Sequence, residues 1–407
     1  MLRRARCAAI WMLLMAACGA VRGDDASVLV PDGATVLVPG DHQVTAPDDT
    51  TVPPPDDATV LVPDGTSVLA PEEGSLVFAG PTENVVVPRL PLGDPGRPQA
   101  YAIADAVFLQ RDNQSTDQPL VISGSTALIT THQLTFATQP GLRAFFGAVN
   151  ECDAGWEVGY LGVWNMFASS MIAGPDTLQA PDPLALLVPE FNDRGLARAT
   201  YASTLNSAEI SVFSRADDGG YCRGAAAPWQ RCAGYSRGTF DWLAGVRWAG
   251  LDESASLIFS GGGNPALGSY SLRSTTNLFG GQVGGRGRME WERWAFEGWA
   301  KVALCGSAMS QSQAPIVNAA EPDPPVRPAR HAFEGGVGFI GDLNATLAYR
   351  LTDTWALRAG YNLVWLTGVA LAPNQFDFNA DSTSGSGLNG GAGVFLHGAN
   401  LGLEARW

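Results

Sequence analysis

From Tyr101 to the C-terminus the chain breaks into segments of about ten residues in which two kinds of side chain alternate, and nothing else in it constrains the fold as tightly. In 238–250, Phe240, Trp242, Ala244, Val246 and Trp248 share one face, while Thr239, Asp241, Leu243, Gly245 and Arg247 share the other. Trp355, Leu357, Ala359, Tyr361, Leu363 and Trp365 make a second such face. Trp156 to Trp164 and Trp294 to Leu304 repeat the pattern. A period of two belongs to strands, whose successive side chains point to opposite faces. A soluble sandwich alternates too, but has no reason to set Trp and Tyr at both ends of its strands. A membrane-spanning barrel does, because amphipathic rings settle at both interfaces. The segment length also suits a tilted spanning strand. The expected fold is all-β, a transmembrane antiparallel up-and-down β-barrel.

Segments fall near 101–110, 141–149, 155–165, 199–213, 238–250, 255–260, 275–290, 293–305, 333–342, 343–350, 354–366 and 391–407. They predict about 12 strands, within a range of roughly 10 to 14, since bacterial barrels have even numbers. The Gly-, Pro- and polar-rich stretches 166–197, 214–237, 310–332 and 373–390 are expected as long loops at one rim, with tight turns such as Thr352-Asp353 at the other. Leu401, Leu403, Ala405 and Trp407 share a face of the last segment, and a final strand ending in an aromatic resembles the sorting signal read by the outer-membrane assembly machinery.

Composition agrees with sheets. Only 16% of residues are charged, while Gly stands at 48 and Trp at 12. Glycine disfavours helix by about 1 kcal/mol per residue. No segment offers the roughly 18 unbroken apolar residues of a spanning helix. Arg3, Arg4 and Arg6 before an apolar Ala8–Ala17 run read as a signal peptide over 1–23. The run into Cys18 also resembles a lipoprotein processing site, so cleavage and lipidation of Cys18 both stand. Between them, 24–100 is an acidic linker with an eight-residue repeat, Pro recurring at 31, 39, 47, 55, 63 and 71. Such prolines forbid helix and favour an extended, polyproline-like chain, and 101–407 is left as the barrel. In an oxidising compartment Cys222 and Cys232 are candidates to pair and staple a loop.

The net charge of −15 argues against a nucleic-acid partner, which needs a basic footprint. Arg247, Glu297, Lys301 (the sole lysine), Arg350, Arg358, Glu404 and Arg406 occupy the inward-facing parity of their segments, with Asp241. Charge is tolerated in a lumen and costly on a lipid face. Two readings follow: structural ion pairing in a narrow barrel, or a constriction that selects solutes by charge. Trp156, Trp164, Trp242, Trp248, Trp294, Trp355 and Trp365 are the expected interfacial aromatics. His42, His132, His331 and His397 are scattered, and no base sits beside a nucleophile. His331 and Glu334 read as an interfacial polar pair. No cofactor, metal site or enzymatic activity is expected.

Leu243-Ala-Gly-Val-Arg-Trp248, Thr276-Asn-Leu-Phe-Gly-Gly-Gln282, Ala300-Lys-Val-Ala-Leu304, Leu347-Ala-Tyr-Arg-Leu-Thr352 with Leu357-Arg-Ala-Gly-Tyr-Asn-Leu-Val-Trp365, Asn374-Gln-Phe-Asp377 and Leu396-His-Gly-Ala-Asn-Leu-Gly-Leu-Glu404 resemble the putative beta-barrel porin family, type 7, of planctomycete-type bacteria. The likeness covers roughly 101–407 and implies an outer-membrane barrel; it supplies no catalytic residues and no substrate. Two functions are expected. One is a porin-like passive diffusion channel for small hydrophilic solutes. The other is a non-conducting structural or display barrel whose acidic arm, 24–98, contacts cell-wall material. Outer-membrane lipids are partners in either case.

Overall fold

The computed structural model describes residues 99–150, 154–216, 237–379, 381 and 383–407. The expected signal peptide with Cys18, the expected linker up to residue 98 and the candidate pair Cys222 and Cys232 lie outside these residues.

Ten antiparallel strands close into a barrel: β1 (Gln99–Asp112), β4 (Gln139–Val149), β5 (Ala154–Leu178), β6 (Arg194–Ala216), β7 (Arg237–Ser260), β8 (Gly268–Trp291), β9 (Trp294–Gln313), β10 (Arg330–Arg350), β11 (Trp355–Val369) and β12 (Ala392–Arg406). Two short strands, β2 (Pro119–Ser123) and β3 (Thr126–Thr130), form a separate hairpin within the β1–β4 connection. Closure is between the ends of the barrel segment, since β1 pairs with β12 from Tyr101↔Arg406 to Asp112↔Phe395. Trp407 and Ala100 seal the seam by exchanging two backbone hydrogen bonds of 2.9 and 3.0 Å. In a bilayer every backbone donor and acceptor needs an internal partner, which is why a spanning sheet must close.

The expected 12 strands become ten because two adjoining pairs of segments are single strands. The pairs 238–250 with 255–260, and 333–342 with 343–350, are β7 and β10. Strands also run further than expected: β5 to β10 have 20 to 25 residues, and β9 alternates from Trp294 through Gln313. At about 3.4 Å per residue and ~40° tilt, a 24-residue strand rises roughly 60 Å, over twice the ~25 Å apolar belt. The excess forms a collar beyond the belt, where the outward face carries Asp252, Ser254, Arg273 and Thr275. There the lipid no longer demands apolar residues, so the sequence pattern fades and parts of 166–197 and 310–332 look like loop. They continue as strand to Leu178 and Gln313. The segment 214–237 is corrected differently, because β6 ends and β7 begins at the rim of the tight turns. The connections 113–138, 179–193, 314–329 and 370–391 lie at the opposite rim.

The outer wall carries the expected aromatics. Trp156, Trp164, Trp242, Trp294 and Trp355 are 38–65% exposed, and Trp248 and Trp365 lie half-buried on the same face. Phe146 packs on Trp156 and Trp407, Phe240 on Trp242, and Trp294 on Tyr349 towards one rim. Towards the other, Trp164 and Tyr160 donate to Asn206, and Trp248 donates to Asn277. Trp365 lies across Gly341 of the neighbouring strand, where an added Cβ would stand 2.0 Å from its ring.

Gly341→Val should therefore push the indole away and cost about 1–3 kcal/mol. Gly281→Ala, with nothing within 4 Å of the new methyl, is the control. Urea unfolding in lipid vesicles, followed by tryptophan fluorescence, checks the difference.

Candidate functional site in the lumen

Eight strands leave an interior that side chains just fill, and ten leave a little more. Here long charged side chains fill the half of the lumen nearer the tight turns. Every barrel strand contributes: Asp105 from β1, Arg143 from β4, Glu157 from β5, Glu209 from β6, Asp241 and Arg247 from β7, Arg286 and Arg288 from β8, Glu297 and Lys301 from β9, Asp342 from β10, Arg358 from β11 and Glu404 from β12. All are buried. Their parity places them inward, because Arg or Lys on the lipid face at mid-bilayer would cost ~2–4 kcal/mol.

They meet as three linked clusters. In the first, Arg358 reaches Glu404 at 2.6 Å, Glu297 at 2.9 Å and Asp105 at 3.6 Å. Arg288 also bridges Glu404 and Glu297 at 3.0 and 3.1 Å, and Arg406 pairs with Glu404 from the rim. In the second, Glu157 takes Arg286 at 2.5 Å, Lys301 at 3.2 Å and the Tyr101 hydroxyl at 2.5 Å. Lys301 pairs with Glu209 as well, and Arg286 with Asp241 at 3.0 Å. In the third, Asp342 accepts from Arg247 at 3.0 Å and from Trp299 Nε1 at 3.1 Å, with Arg143 at 3.7 Å. An amide string of Asn344, Asn362 and Asn400 joins Arg143 to Asp105. Three strands separate β5 from β9, β4 from β10 and β8 from β12 around the wall. The pairs Glu157–Lys301, Arg143–Asp342 and Arg288–Glu404 therefore cross the lumen.

The charges balance. The carboxylates Asp105, Glu157, Glu209, Asp241, Glu297, Asp342 and Glu404 face Arg143, Arg247, Arg286, Arg288, Lys301, Arg358 and the rim residue Arg406. Among the described residues of this network no surplus of either sign is left once Arg406 is counted. The cleft at this rim, lined by Tyr101, Asp241, Arg286, Glu297 and Arg406, holds about 10 Å³ of free space.

The half under the long connections is apolar. Leu251, Leu257, Phe259, Leu272 and Leu278 line the wall. Leu120, Val121, Leu134 and Phe136 enter from 113–138, Leu184, Val188 and Phe191 from 179–193, and Leu371, Phe376 and Phe378 from 370–391. A buried latch fastens this plug. Arg111 pairs with Glu253 at 2.6 Å and donates to Tyr201 at 2.6 Å, and Tyr201 donates to Glu253. The Ala372 amide donates to Glu253 at 2.9 Å, and Arg111 stands 4.9 Å from the Phe136 ring centre. Burying each large apolar side chain is worth ~1.5–3 kcal/mol, so the plug is part of the core rather than a loose flap.

The sequence-derived residues fare unevenly. Arg247, Glu297, Lys301, Arg358 and Glu404 lie in the network, whereas Arg350 and Arg406 sit at the rim, 33% and 35% exposed. Glu297 and Lys301, four residues apart on one strand, belong to different clusters. His331 and Glu334 are not a pair, since residues three apart on a strand face opposite ways. Sequence reasoning passed over Asp105, Arg143, Glu157, Glu209, Arg286, Arg288 and Asp342. Glu157 was legible, standing between Trp156 and Val158. Arg286 and Arg288 were not, because glycines around them leave no outward pattern.

These features define the class: a closed ten-stranded barrel with an aromatic-flanked apolar wall and a filled lumen. No protein-family model matches the chain, and no curated protein matches it. Among solved structures it is similar to the Pseudomonas putida toluene transporter TodX (10% identity, 76% of this chain and 88% of that one, TM-score 0.19). It is also similar to a Pseudomonas aeruginosa FadL homologue (9%, 76% and 89%, TM-score 0.16) and to an anion-selective porin from Comamonas acidovorans (8%, 76% and 99%, TM-score 0.12). Superpositions of that quality leave the class resting on the chain's own geometry.

Replacing Arg358 by Met takes the ion-pair partner from buried Asp105 and one partner each from Glu297 and Glu404, and should destabilise the barrel by about 3–5 kcal/mol. The double variant Arg358→Met, Asp105→Asn removes one charge of each sign, leaves Arg288 and Arg406 on Glu297 and Glu404, and should recover most of that loss. Urea midpoints of the refolded barrels decide.

Proposed function

We propose that the chain is an outer-membrane β-barrel that does not conduct in this state, a structural or display barrel. The observation that carries this reading is the buried network to which every barrel strand contributes and in which each charge meets its opposite. A selective filter leaves charge to meet the solute; here the inward groups are spent on one another, and an apolar plug stands above them. The outward aromatic bands support a membrane location. Insertion by the outer-membrane assembly machinery belongs to the proposal. Membership of the type 7 porin family, absence of catalysis, and contact of 24–98 with cell-wall material belong to the same proposal.

One observation favours a second reading, a gated passage for small hydrophilic solutes. Half of the lumen keeps ions where apolar packing would be as stable or more so. Such a lumen hydrates readily once the plug above it is displaced.

Planar-bilayer recording of the full-length barrel separates the two. Wild type should show no steady unitary conductance, and such conductance would overturn the closed state. The variant Arg111→Ala with Glu253→Ala releases the plug latch. Steps appearing only in that variant would favour the gated passage, and silence in both the structural barrel.

A further inference from the structure

On the collar, outside the barrel, β8, β9 and β10 form a concave site of about 310 Å³. Its outward residues lie in two register rows. Arg273, Ser312 and His331 are opposite one another in the first, and Thr275, Ser310 and Phe333 in the second. Strands stand about 4.8 Å apart, so each row spans ~10 Å, the width of a phosphorylated sugar or glycerol headgroup. Arg273 and His331 are exposed, and among the described residues neither has an ion-pair or hydrogen-bond partner. That sets Arg273 apart from the arginines of the lumen, each of which is paired. The nearby outward carboxylate, Asp252, accepts from Thr275 Oγ1 at 2.8 Å.

Height along the wall supplies the second observation. Asn277, which holds the Trp248 indole of the aromatic band, lies two residues from Thr275 on the same face of β8. A two-residue step rises ~5 Å at a 40° tilt. Beyond Asn277 towards the belt stand Phe279, Leu304 and Val337, 63–73% exposed, and Phe333 at the pocket itself is 75% exposed. An unpaired cation with hydroxyl donors, set one step above an apolar wall, fits a phosphate whose acyl chains run down that wall.

We propose that Arg273, His331, Ser310 and Ser312 bind a phosphate group, carried by a lipid of the outer leaflet whose chains lie on Phe279, Leu304 and Val337. This rests on the reading of the chain as a membrane barrel with its long connections on the headgroup side. Arg273 supplies the charge and a planar donor fork, Ser312 orients the oxygens, joined by Ser310 once its hydroxyl turns from the Thr275 carbonyl to which it donates at 3.5 Å, and Phe333 packs on the glycerol or sugar.

Native mass spectrometry of the full-length protein tests it, with dioleoyl phosphatidic acid against dioleoyl phosphatidylcholine. Calorimetric titration with inorganic phosphate forms a second arm. Wild type should retain phosphatidic acid preferentially. Arg273→Ala with His331→Ala should weaken retention about five- to tenfold, while Arg198→Ala, an outward arginine on β6 outside the pocket, should not. Phosphate binding with the same variant dependence but no lipid preference would keep the phosphate site and assign it a soluble source. Equal retention by wild type and double variant, with no phosphate binding, overturns the proposal while the barrel stands. Absence of a heat-modifiable folded band in vesicles overturns the barrel reading, and this site with it.

Discussion

A charge on a barrel wall must face either lipid or lumen, and the lipid face is closed to it by several kcal/mol. That constraint sends Arg247, Lys301, Arg358 and their partners inward, and the barrel's small circumference then brings them within reach of one another. Ten strands leave too little room for both a hydrated bore and this many long side chains. The lumen therefore fills with its own ion pairs. Burial of these groups makes each pair depend on the rest, since a single unmatched carboxylate would cost more than its pair contributes.

The two halves of the interior meet opposite demands. The half nearer the tight turns is spanned by strands whose outer face meets lipid, and its inner face is polar, with Glu157–Lys301 and Arg143–Asp342 tying opposite walls. The collar half stands clear of the apolar belt. There the strands can reverse the usual barrel pattern, presenting Ser254 and Thr275 outward and Leu257 and Leu272 inward, so that the connections fold into a soluble-style core. Arg111, Glu253 and Tyr201 mark the border between the halves and hold residues from 113–138 and 370–391 at once.

Much of the barrel is legible in the sequence because period two and aromatic ends are local properties of a strand in lipid. Trp242 and Trp248, or Trp355 and Trp365, announce the belt with no knowledge of the neighbouring strands. The same logic fails where lipid is absent. Beyond Trp164, β5 runs on through Ser169, Ser170 and Gly174, which read as loop because nothing outside requires them to be apolar. The exchange of polarity between the two faces in the collar, with residue parity unchanged, also hid the continuity of β7 across 251–254 and so inflated the strand count.

The chain by itself determined that it is all-β, that its strands have one apolar face flanked by aromatics, and that its charges occur on the opposite parity. Those follow from side-chain chemistry and the two-residue repeat. Only the tertiary structure decided that ten strands close through β1 and β12, that Glu297 pairs with Arg358 and Arg288 while Lys301 pairs with Glu157 and Glu209, and that the connections fill the collar. The reason is geometric. Parity says which way a side chain points, but the partner it meets across a lumen depends on circumference and register, which closure alone fixes.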